Sequence, residues 1–147
     1  MIAIDTNALI RLLIEDSYRQ AKAVQEIVIY AENNSLQILL LNEVLIETVW
    51  VLESVYKCTR KDISQFLQRL ITASVYTFTD SVLISRAVHQ YKKGGDFADL
   101  LIICQAKKNK VEMFFSFDKK LQKKFTGYVY DKLPKSAVLL IFLTMRV

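Results

Sequence analysis

Ile2-Ala3-Ile4-Asp5-Thr6-Asn7-Ala8-Leu9-Ile10 changes its period in the middle. Three apolar residues in a row suit a short buried strand. Asp5, Thr6 and Asn7 then suit a turn, and the apolar stretch Ala8 to Ile14 suits a helix capped by Thr6 or Asn7. Asp5 is therefore expected where a strand gives way to a helix. Further along, Ser17 followed by Gln20 resembles a capping box opening a helix to about Ala31, and Asn33-Asn34-Ser35 marks a turn. Gln37 to Leu41 reads as a second strand, Asn42 as the cap of a helix to about Tyr56, and Thr59 as the cap of another to Ile71. Val75-Tyr76-Thr77-Phe78 is a third strand, and Asp80 starts a helix that stops before Gly94-Gly95. Asp96 caps an apolar helix, Phe97 to Lys108; Met113 to Ser116 is a strand, Asp118 to Lys124 a basic helix, and Tyr128 to Tyr130 an edge strand. This alternation predicts one α/β domain, with a parallel sheet of about five strands and helices on both faces.

Composition narrows the chemistry. Three glycines leave no room for a Gly-rich phosphate loop, and one histidine, His89, removes His-based zinc sites. Cys58 and Cys104 lack a CxxC spacing and read as reduced core thiols. The start of the chain has no basic region followed by a long apolar core, and Ala137 to Leu143 is too short to span a bilayer, so a cytoplasmic, non-membrane protein is expected. The net charge is +5. Between Arg86 and Lys135 stand twelve basic and five acidic residues, so the positive charge is regional, as a nucleic-acid surface or a solvated helix face requires.

Ligands of open parallel sheets bind beyond the carboxyl ends of the strands. Asp5 and Asp118 are expected there, and Asp96 and Asp99 share one face at the start of a helix. Capping alone accounts for Asp5, Asp96 and Asp118, and Glu43 is expected in solvent. Glu47 is different: it sits mid-helix beside Val44, Ile46, Trp50 and Val51, with no Lys or Arg three or four residues away. A half-buried carboxylate needs a partner, and a metal shared with other carboxylates is one. Oxygen-only ligation suits Mg²⁺ or Mn²⁺, which activate water for phosphodiester cleavage without a Ser, Cys or His nucleophile.

Ile4-Asp5-Thr6-Asn7, Val44 to Leu52 around Glu47, Gly95-Asp96-Phe97-Ala98-Asp99-Leu100-Leu101-Ile102, and Phe115-Ser116-Phe117-Asp118-Lys119-Lys120 together resemble the PIN domain family, and within it the VapC-type toxins of bacterial toxin–antitoxin pairs. The resemblance runs from Met1 to about Lys124. It implies a five-stranded parallel sheet and a Mg²⁺-dependent endoribonuclease, with Mn²⁺ as substitute, that is inhibited by a cognate antitoxin protein and forms a homodimer. It assigns Asp5, Glu47, Asp99 and Asp118 as metal-ligating catalytic acids. Asp96, Thr6, Asn7 and Ser116 become supporting groups or further ligands. Lys119, Lys120, Lys123 and Lys124 either receive the RNA backbone or form a solvated helix end. A groove lined by Leu9, Leu12, Leu13 and Trp50 is expected to take an antitoxin helix.

The PIN-like nuclease domain is placed at 1–135. The apolar extension 136–147 departs from the family pattern and reads as an added strand, a dimer contact or a helix over the sheet. Two other functions compete. An aspartyl-phosphate phosphatase with Asp5 as nucleophile would need a second acid where Asn7 stands. A catalytically inactive PIN-like module, binding RNA or a protein, would keep the fold alone.

Overall fold

A computed structural model describes residues 1–135; the extension 136–147 lies outside the described residues. The chain forms two compact units, Met1–Leu101 and a second beginning at Ile102. In the first, β1 (Ile2–Ala3), β2 (Ile38–Leu40) and β3 (Tyr76–Phe78) form a parallel sheet in that order. Ile2 pairs with Ile38, and Ile38 with Tyr76. Between them run α1 (Thr6–Ile10), α2 (Tyr18–Asn33), α3 (Asn42–Ser54) and α4 (Arg60–Thr72), followed by α5 (Ser81–Lys93). Ile38 and Leu40, on one face of this central strand, are fully buried, and Leu39 on the other face is half-buried.

α6 (Phe97–Lys108) begins in the first unit and ends in the second. There β4 (Phe114–Phe115) and β5 (Val129–Tyr130) pair in parallel across α7 (Lys119–Lys124). Ile103, Leu121 and Val129 are buried, with Phe114, Phe125 and Tyr128 packed against them. The expected five strands are all present and all parallel, but they divide into sheets of three and two. β1, β4 and β5 each contribute only two residues, so each ladder is short.

Several helix starts differ from expectation. Asp5, rather than Thr6 or Asn7, caps α1: its Oδ1 accepts from Ala8 N at 2.9 Å, and its extended backbone leaves Thr6 as the first helical residue. Asn42 is itself helical, with Leu41 at the cap position, and Ser17 makes no side-chain capping bond. Thr59, Asp80 and Asp96 cap as read, accepting from Asp62, Leu83 and Asp99 backbone N–H groups. Cys58 and Cys104 form no disulfide and are half-buried rather than fully buried.

Candidate active site

Asp5 leaves the end of β1 exposed, and the helix that it caps turns Thr6 inward, where it is 7 % exposed. α1 packs on α3, and the Thr6 hydroxyl donates to Glu47 Oε2 at 2.8 Å. This single bond joins two acidic segments forty-one residues apart. It also corrects the expectation for Glu47. The side chain is exposed, because α3 turns Leu45, Thr48, Val49 and Leu52 into the core and leaves Glu47 and Trp50 outside. The partner it has is a hydroxyl, so no desolvation argument for a cation is required at this position.

The third acidic segment meets the second. Glu47, Glu53 and Asp96 line one cavity of about 200 Å³, together with Trp50 and Phe97. Asp96 is exposed and spends Oδ1 on the Asp99 backbone N–H at 3.0 Å, so its expected capping role is real; Asp99 is half-buried in the first turn of α6. Within the first unit, then, Asp5 connects to Glu47 through Thr6, and Glu47 faces Asp96 across a small cavity.

A feature that sequence reasoning missed holds this wall together. Tyr91 is fully buried, and its hydroxyl donates to Glu53 Oε1 at 2.6 Å. Arg60 Nη1 donates to the Tyr91 carbonyl at 2.9 Å and the Gly95 carbonyl at 2.8 Å, and its guanidinium lies 4.3 Å from the centroid of the Tyr91 ring. The Phe97 ring meets Tyr91 edge-on at 5.8 Å. Gly94 and Gly95, at φ +126° and +102°, make the turn that Arg60 grips immediately before Asp96. Burial, then the hydrogen bond to Glu53, push the Tyr91 phenol far above its ordinary value. The available signal was a tyrosine on the apolar stripe of α5: a buried hydroxyl calls for a polar partner.

In the second unit, Asp118 is exposed and caps α7, accepting from Leu121 N at 2.9 Å. Ser116 Oγ accepts from the Asp118 backbone N–H at 3.1 Å, so this hydroxyl holds the acid's main chain rather than its carboxylate. Lys119 pairs with Asp131, which holds the Asp131 carboxyl below its ordinary range. Lys120 and Lys123 are exposed. Asn7 is exposed, and its carbonyl accepts from Arg11 N. Leu9 is fully buried and belongs to the core, not to an open groove; Trp50 is 61 % exposed.

The PIN domain family model matches residues 2–125. The chain belongs to the PIN domain family. The match covers most of the chain and all four acidic segments, and it makes this a nuclease-type domain. No curated protein and no solved structure matches the chain. Among the described residues of this PIN domain, no three His, Cys, Asp or Glu side chains are gathered closely enough to hold a metal ion. The acids that line the small cavity, Glu47, Glu53 and Asp96, are nevertheless all carboxylates, the ligand class of hard divalent ions. No described helix is long and apolar enough to cross a membrane.

Proposed function

We propose that this PIN domain is a Mg²⁺-dependent endoribonuclease of the VapC toxin type, acting in the cytoplasm as a homodimer and inhibited by a cognate antitoxin. The nuclease domain occupies 1–135. Asp5, Glu47, Asp99 and Asp118 hold the ion, with Mn²⁺ as substitute, while Thr6, Asn7, Asp96 and Ser116 support them. The observation that carries this reading is the Thr6–Glu47 hydrogen bond, which ties the acid of α3 to the residue beside Asp5. The cavity shared by Glu47 and Asp96 supports it further.

When bound, Mg²⁺ supplies an activated water and charge neutralisation at the scissile phosphate. The chain's own residues do the positioning. Thr6 fixes the rotamer of Glu47, in the way that hydrogen-bonded partners orient metal ligands. Arg60 and Tyr91 fix the turn that presents Asp96 and Asp99. Exposed Lys120 and Lys123, following Asp118, attract phosphate oxygens; Lys119 does so only by releasing Asp131.

Asp5→Asn and Asp99→Asn, each compared with the wild type in folded form, are the direct test. Metal-dependent cleavage of RNA should fall at least about 100-fold, since each substitution removes a charge that the ion requires. Unchanged cleavage by either variant contradicts the assignment.

A further inference from the structure

A second, larger depression lies between α4 and α5, with a volume of about 740 Å³. Arg60, Lys61, Arg69, His89 and Lys92 surround it, and none of the described residues lining it is acidic. Lys61, Arg69 and Lys92 are exposed and make no ion pair among the described residues. Gln65 and Gln68 fill the interval between the charges. At the floor stand Val88 and Ser64; Ser64 is 8 % exposed, and its Oγ is buried without a hydrogen-bond partner. Asp62, the neighbour of Lys61, faces a separate depression that Gln65 and Arg69 also border.

The layout selects the ligand. Arg60 reaches the carbonyls of Tyr91 and Gly95, so the start of α4 meets the end of α5. Lys61 and Lys92 thus share one end, whereas Arg69 stands eight residues along α4, roughly 12 Å away at 1.5 Å per residue. The positive charge is therefore spread along the cleft rather than gathered at one point. These cations match successive charges of an extended strand, with amide, imidazole and hydroxyl groups between them for the backbone oxygens. The cleft also adjoins the acidic cavity: Arg60 lines one, Glu53 lines the other, and Tyr91 is bonded to both.

We propose that the α4–α5 cleft binds the phosphodiester backbone of single-stranded RNA, holding a stretch of the strand beside the acidic cavity. The inference rests on the nuclease reading for the identity of the polyanion. It extends the RNA surface to α4 and α5, beyond the Lys-rich helix that follows Asp118.

Binding of a fluorescent twelve-nucleotide oligouridylate, followed by anisotropy in EDTA across a salt series, separates it from catalysis. The Lys61→Gln/Arg69→Gln/Lys92→Gln variant changes three exposed side chains and should keep the wild-type circular dichroism. Its slope of log affinity against log salt should be shallower by about 2, at about 0.7 per lost phosphate contact. Lys61→Arg/Lys92→Arg should retain the wild-type slope. Equal slopes for the triple variant and the wild type overturn the proposal, as does stronger displacement by a twelve-residue polyglutamate than by unlabelled RNA, which assigns the cleft to an acidic protein segment. Binding in EDTA without cleavage in Mg²⁺ removes the nuclease reading and keeps the cleft; cleavage with equal slopes does the reverse.

Discussion

Thr6 and Thr48 are both buried hydroxyls near Glu47, and they have opposite fates. Thr6 spends its proton on the Glu47 carboxylate, whereas Thr48 Oγ1 is buried on α3 without a partner. Removing the first should cost function and removing the second should not. Thr6→Val is expected to lower metal affinity or cleavage about 10- to 100-fold, with Thr6→Ser restoring it; equal activity of the Val variant would show that the bond positions nothing. Thr48→Val, nearly isosteric, relieves an unpaid desolvation and should raise the urea-unfolding free energy by about 1 kcal/mol. A loss of stability would mean that the hydroxyl has a partner after all. Asp5 was legible at this scale because a strand-to-helix switch leaves few places for an acid. Which of Asp5, Thr6 and Asn7 capped the helix was not, since all three types cap well and backbone torsions decide. The exposure of Glu47 could have been read from the i, i+3, i+4, i+7 spacing of Leu45, Thr48, Val49 and Leu52.

Among the elements, α5 carries a device that no local pattern announces. Tyr91 links Glu53 on α3 to Arg60 on α4, and a buried phenol bonded to a carboxylate resists ionisation. The sign follows from the raised value: the folded state favours the neutral phenol, so its contribution is present below the unfolded tyrosine value of 10.0 and is lost as pH climbs toward the folded one. Of the seven tyrosines, Tyr91 should therefore ionise only as the chain unfolds in an alkaline absorbance titration. Tyr76, raised by burial and by Glu32, should also lag. Seven tyrosines titrating together in a folded protein would contradict this. Tyr91→Phe leaves Glu53 without its donor and should cost about 1–3 kcal/mol in urea unfolding. Helices and strands were legible from period and caps. The clamp was not, because its three members lie far apart in the chain and meet only when α3, α4 and α5 pack.

For the whole molecule, the alternation of strands and helices announced the α/β architecture, and the acidic segments announced the family. The division of five strands into sheets of three and two was hidden, because ladders of two residues leave little hydrophobic signal to set their neighbours. The distribution of charge in space adds to its distribution along the chain. A count along the chain favoured 86–135, whereas the α4–α5 cleft draws Arg60, Lys61 and Arg69 from outside that window. The central claim is that acids from four distant segments share a divalent ion, and a crystal soaked in Mn²⁺ tests it at the Mn absorption edge. The account predicts an anomalous peak bound at about 2.1 Å by carboxylate oxygens from at least three of Asp5, Glu47, Asp99 and Asp118. A peak elsewhere, or none at millimolar Mn²⁺, would contradict it.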